Sequence, residues 1–240
     1  MPSTTDRFSF RQLLAGRDFA RDDQIAQQMV NFVYVIGDRE TGSAALIDPA
    51  YGVRELVELL DADGLRCTDV LVTHYHPDHV GGSLGGWSIE GLAELREMGV
   101  DARIHVQEPE AFGVQRVTGV EDLVLHESGD VVEVGAIPIT LIHTPGHTPG
   151  SQCFFVDGRL VSGDTLFLEG CGRTDLPGGD PAQLYESLTQ KLAVVPDDTV
   201  LYPGHLYSME PSAPMGEVRS HNYVFRPKTR EQWLMMFGHD

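Results

Sequence analysis

The segment Thr73-His74-Tyr75-His76-Pro77-Asp78-His79-Val80-Gly81-Gly82 places three imidazoles and a carboxylate within six residues, directly after an apolar run. A solvated surface loop rarely concentrates ligand-type side chains in this way, whereas a metal site requires it. In extended backbone His74 and His76, two residues apart, point to the same side. Pro77 does not fit a regular helix interior, so the segment is expected to be a loop that turns to present Asp78 and His79 elsewhere. One such loop could serve two neighbouring metal positions. Imidazole and carboxylate ligands suit zinc, and also iron or manganese.

Three further segments each carry one ligand-type residue at the end of a predicted strand: His147 in Thr144-Pro145-Gly146-His147-Thr148-Pro149-Gly150, Asp164 in Ser162-Gly163-Asp164-Thr165-Leu166-Phe167, and His205 in Leu201-Tyr202-Pro203-Gly204-His205. Each alone is a weak signal, a turn or a capping residue. His143, four residues before His147, is the rival ligand. It ends a strand, where an imidazole readily pairs with backbone groups. His105, His126, His221 and His239 have no ligand-like context.

Taken together and in this order, the four segments resemble the metallo-β-lactamase superfamily, in particular the branch of glyoxalase II (hydroxyacylglutathione hydrolase) and persulfide dioxygenases. The resemblance runs from about Phe10 to beyond His205. It implies an α/β fold of four layers, αββα, in which two mixed β-sheets pack face to face with helices outside. It assigns His74, His76 and His147 to a first metal, Asp78, His79 and His205 to a second, and Asp164 to a bridge between them. Two divalent ions follow, zinc by expectation, with iron or manganese as alternatives. Asp78 and Asp164 are the catalytic carboxylates in the sense that they hold metals and orient the nucleophile. An aspartate at 164, together with an N-terminus that does not look like a secretory signal, argues against antibiotic hydrolysis.

The segment Glu169-Gly170-Cys171-Gly172-Arg173-Thr174-Asp175 is closer to persulfide dioxygenases, while Gly163-Asp164-Thr165-Leu166-Phe167 is closer to glyoxalase II. The resemblance puts Arg173 and Tyr207 near a bound thiol substrate, with Cys171 beside them. Arg173 could equally pair with Asp175, and Tyr75 is expected to be a pocket wall. Only 35 residues follow His205, fewer than in glyoxalase II, which puts glutathione as the carrier thiol in doubt.

The leading expectation is hydrolysis of a thioester or related ester by a metal-bound hydroxide shared between two ions. The alternative is a mononuclear iron persulfide dioxygenase, with His74, His147 and Asp164 forming a two-histidine, one-carboxylate face. Lactone hydrolysis is a third option, and a closed structural metal site the least favoured.

The elements that must position these residues show in the apolar patterning. Val30–Gly37, Ala44–Asp48, Asp69–Thr73, Ala102–Val106, Leu123–Glu127, Ile137–Ile142 and Thr199–Tyr202 are predicted strands, and Gln152–Val156 and Arg159–Ser162 a hairpin about Asp157-Gly158. Val53–Leu60, Ile89–Met98, Ala182–Leu192 and Thr229–Phe237 have helical spacing. Strands alternating with helices predict a sheet-on-sheet core with helices outside. With 240 residues, 41% of them hydrophobic, one domain spanning 1–240 is expected, with a short C-terminal extension over about 206–240. A net charge of −19 disfavours nucleic acid and anionic membranes as partners. The expected partner is a small-molecule thioester or ester, with a homo-oligomer left open. No apolar run approaches the roughly 18–20 residues of a membrane helix, and Cys67, Cys153 and Cys171 are unpaired in spacing, so reduced thiols in the cytoplasm are expected.

Overall fold

Residues 7–238 are described by a computed structural model; Met1–Asp6, His239 and Asp240 lie outside the described residues. The first sheet takes β1 (Phe8–Leu14), β2 (Phe32–Asp38), β3 (Ser43–Ile47), β4 (Arg66–Leu71), β7 (Arg103–Gln107) and β8 (Leu123–His126) in that spatial order. The second takes β14 (Ala213–Pro214), β13 (Val200–Pro203), β12 (Arg159–Gly163), β11 (Gln152–Val156), β10 (Ile137–His143) and β9 (Val131–Val134). Both are mixed: β3, β4, β7 and β8 run parallel, as do β12 and β13, and the other neighbours are antiparallel.

Every residue of β2 is buried, and parity divides its side chains between two cores. Phe32, Tyr34 and Ile36 pack with Ile139, Leu141, Phe154 and Val161 of the opposing sheet. Val33 and Val35 face the other way, onto Phe19, Ala26, Leu56 and Leu60. A strand with a core on each face has no polar face to show, which is why Phe32–Ile36 is an unbroken apolar run. Leu56 and Leu60 belong to α2 (Val53–Ala62), and Ala26 to α1 (Gln24–Met29). Behind the second sheet, Cys153, Leu160 and Leu201 pack on Leu184, Val218 and Trp233, from α6 (Pro181–Glu186), α7 (Met215–His221) and α8 (Arg230–Phe237). The layers are therefore αββα, and the architecture is the metallo-β-lactamase sandwich.

Two local expectations are corrected. Pro77 does not enforce a loop: Pro77–Val80 forms one helical turn, α3, with Pro77 in its first turn and His76 as the extended N-cap. There the missing N–H costs nothing. Ile89 does not begin a helix. It ends a hairpin of β5 (Gly82–Leu84) and β6 (Trp87–Ile89), turned by Gly85 and Gly86 at φ +59° and +90°, and α4 covers only Leu92–Glu97. The strands β1 and β9 and the helices α1 and α5 (Ala111–Thr118) were not anticipated. Among the described residues no helix is long and apolar enough to cross a membrane.

Candidate metal centre

Five strand ends converge on one edge of the sandwich. Asp48 follows β3, His74 follows β4, His147 follows β10, Asp164 follows β12 and His205 follows β13. Because β3 and β4 are parallel neighbours, as are β12 and β13, each pair of C-terminal ends opens on the same side. The crowding is tight: a Cβ at Gly163, where φ is +48°, would lie 2.6 Å from the Thr73 side chain.

The ligand-type atoms form two groups, His74 with His76 and His147, and Asp78 with His79 and His205, each group within 4.8 Å of itself. Asp164 lies between them, 3.5 Å from His79 Nε2, 3.3 Å from His205 Nε2 and 3.7 Å from His147 Nε2. All of these side chains are buried except the half-buried His76 and Asp164. A third group, Asp48 with His74 and His79, differs in kind, because Asp48 is engaged from behind the rings.

Hydrogen bonds on the outer side of each ring assign the protons. His79 Nδ1 donates to Asp48 Oδ2 at 2.9 Å, His205 Nδ1 to the Met29 carbonyl at 2.8 Å, and His147 Nδ1 to the Arg173 carbonyl at 2.7 Å. The Thr73 hydroxyl donates to Asp48 Oδ2, so it accepts from His74 Nδ1 at 3.0 Å. In their neutral forms all four rings therefore turn an Nε2 lone pair inward. His79 Nε2 and His205 Nε2 face each other at 3.2 Å, a repulsive arrangement unless a cation stands between them. His74 Nε2 and Asp164 Oδ1 are buried with no hydrogen-bond partner among the described residues, a state that costs free energy unless something else binds them. The donor set thus fits cations of the zinc class, and the outer hydrogen bonds are the kind that fix ligating histidines.

Electrostatics agree. Burial lowers His74 well below its ordinary value, and burial with the neighbouring His147 brings His76 to about 4, so both stay neutral. Burial opposes protonation of His79 too, but Asp78, Asp164 and Asp48 outweigh it and raise that ring to about 10. A proton is the smallest cation the carboxylates accept there, and a metal would displace it, so affinity at this position rises with pH.

The matching family model, the metallo-beta-lactamase superfamily, covers residues 27–205. The chain belongs to the metallo-β-lactamase superfamily. Within the superfamily, a hydroxyacylglutathione hydrolase of Rhodopseudomonas palustris is 40% identical over 180 residues, 74% of this chain and 63% of that protein. The human mitochondrial persulfide dioxygenase ETHE1 is 33% identical over 179 residues, 73% of this chain and 64% of that one. The matched part therefore spans less than two thirds of both relatives. ETHE1 from Myxococcus xanthus is a solved structure with a TM-score of 0.77 and 31% identity, covering 95% of this chain and 89% of its own. The superfamily is one of metal-dependent hydrolases and related enzymes.

A cavity of about 540 Å³ opens over the two groups and is lined by His76, Asp164, Cys171, Arg173 and Tyr207 among others. Tyr207 stacks on the His205 ring at 4.6 Å. The Arg173 guanidinium pairs with Asp175 at 2.6 Å, while its carbonyl holds His147. Burial raises the Cys171 thiol to about 12, so it is a wall and not a nucleophile at neutral pH. His143 stays outside both groups, with Nε2 2.9 Å from the Pro149 carbonyl.

Four contributors escaped the sequence reasoning. Asp48 orients His79 and, through Thr73, His74. The Asn31 amide donates to Asp78 Oδ2 at 3.1 Å and is itself held by the Tyr51 hydroxyl. The Met29 carbonyl ends α1 and holds His205. Glu110 accepts from the Tyr75 and Gly150 N–H groups and the Thr148 hydroxyl, tying the first ligand loop to the His147 loop. Only Asp48 had a local signal, an acid ending the apolar run Ala44–Ile47.

Proposed function

We propose that the protein is a metal-dependent hydrolase of thioesters or related esters with a two-ion centre, zinc at both positions. The observation that carries this reading is the inward pair of lone pairs on His79 and His205, flanked by Asp78 and Asp164. They form a second cation position as complete as the first. His74, His76 and His147 would hold one ion, Asp78, His79 and His205 the other, and Asp164 both. When bound, the ions supply Lewis acidity for polarising a carbonyl and acidifying a water.

The chain's own residues position and exclude. Asp78 and Asp164 are fixed by Asn31 and the surrounding rings, so they hold the ions and orient the reacting groups instead of shuttling protons. The leaving thiolate is a stable anion and departs without a strong general acid. Tyr207 and Arg173 line the side on which the thiol half would lie. The strongly acidic chain suits a small-molecule substrate better than a nucleic acid.

A second reading, an iron persulfide dioxygenase, is favoured by the near full-length match to Myxococcus ETHE1 and by the Gly170–Asp175 segment. Reconstitution with zinc and with ferrous iron separates them. Each form is given S-lactoylglutathione, a simple lactone and glutathione persulfide, with O₂ uptake followed by electrode. Zinc has no redox chemistry, so thioester or lactone cleavage by the zinc form without O₂ uptake supports the hydrolase. Activity confined to the iron form, with O₂ consumed on persulfide and the thioester intact, overturns it.

A further inference from the structure

A second, larger cavity of about 810 Å³ adjoins the metal pocket and shares His76, Pro77, Leu84 and Leu176 with it. Its far wall is the face of α5 that carries Phe112, Arg116 and Val117, and the β5–β6 hairpin supplies Ser83 and Leu84 opposite. Arg116 is the one ionised side chain among the described residues that line it. Phe112 is 74% exposed, a large apolar ring left bare beside the ligand histidines.

The wall is held rigidly to the ligands. Tyr75, between His74 and His76, donates its N–H to Glu110 Oε1 and its hydroxyl to the Pro177 carbonyl, each at 2.7 Å. Gly113 lets α5 lie against the Tyr75 ring, where a Cβ would come within 2.5 Å. A groove fixed in this way, and continuous with the site across His76, is placed to receive part of a substrate.

A carbonyl held over the two ligand groups carries two substituents, and two cavities diverge from that point. We propose that the groove along α5 holds the acyl half of the substrate, and that this half is an extended apolar chain, alkyl or aryl. The assignment rests on the hydrolase reading, in which the thiol half lies toward Tyr207. The trough is largely apolar, with Ser83 and Arg116 among its few polar side chains, so it rewards each methylene removed from water more than it rewards a small polar acyl group.

The test separates binding from turnover. S-methyl, S-butyl, S-hexyl and S-octyl thioethers of N-acetylcysteamine, which cannot be hydrolysed, are titrated calorimetrically into the zinc-loaded protein. Wild type is expected to gain roughly two- to fourfold in affinity per methylene. Ser83→Trp, which fills the groove from an exposed position, and Phe112→Ala, which strips its wall, should both flatten the series while leaving the S-methyl compound and the metal content unchanged. An affinity independent of chain length in wild type, or a slope that survives in both variants, overturns the groove assignment. The corresponding acetyl to octanoyl thioesters report on the parent reading. Equal kcat/KM along that series keeps the hydrolase and removes the groove. A chain-length-dependent affinity that the variants abolish, without cleavage of any thioester, keeps the apolar subsite and removes the hydrolase.

Discussion

Asp48 stands behind His79, its Oδ2 2.9 Å from Nδ1, so that in the neutral ring Nε2 on the far side carries the lone pair. The same carboxylate accepts the Thr73 N–H at 2.7 Å and the Thr73 hydroxyl, and through that hydroxyl it also sets the His74 ring. Asp48→Asn keeps the shape but offers an amide where two donors converge. The expected outcome is a metal affinity lower by roughly 10–100-fold, measured by competition with a chromophoric chelator. An unchanged affinity would mean that packing alone orients the rings.

Metal content should be close to two equivalents per chain after purification without chelator, read by elemental analysis. His76→Ala and His205→Ala should each lose about one equivalent, from different groups, and Asp164→Ala should weaken both. His143→Ala should retain wild-type content, because its Nε2 is engaged with the Pro149 carbonyl. Full retention in all three ligand variants would sink the assignment.

Glu110 is buried and receives three donors, yet burial raises its carboxyl from 4.5 to about 7. An acid whose folded pKa is raised adds stability while protonated, fully below about 4.5, and loses it as pH rises toward 7. Glu110→Gln lacks this titration and turns an amide toward N–H groups, costing about 1–3 kcal/mol. The stability gap between wild type and variant, from denaturant melts, should narrow between pH 4.5 and 7 and be flat on either side. A gap constant across that window would show that the carboxyl stays ionised in the fold.

Arg173 should act through binding more than through stability. Its ion pair with Asp175 is largely exposed, the guanidinium side chain 62% so, and exposed pairs contribute about 0–1 kcal/mol. Arg173→Ala is expected to shift Tm by no more than a few degrees. It should raise KM for an anionic thiol-containing substrate more than it lowers kcat, the pattern of binding shared by ground and transition states. A large loss of stability with unchanged KM would assign the side chain to the ion pair alone.

The candidate metal ligands that the fold brings together were legible in the sequence because His74, His76, Asp78 and His79 crowd one short segment, and His147, Asp164 and His205 each follow a recognisable strand. Several ligand types at close spacing have no ordinary structural use, so they stand out before any contact is known. The αββα order was legible in the same way, from the resemblance those segments carry and from alternating strands and helices.

Asp48, Asn31, Glu110 and the Met29 carbonyl are ordinary groups in ordinary places along the chain. They acquire their roles only when the parallel pairing of β3 with β4 and of β12 with β13 brings distant strand ends to one edge. Met29 and His205, which are 176 positions apart, then share a hydrogen bond. The tautomers of the histidines, the short helical turn at Pro77 and the apolar groove along α5 were decided there too. Each depends on which group stands on the other side of a ring or a cavity, and that is set by packing between segments, not by the residues next in sequence.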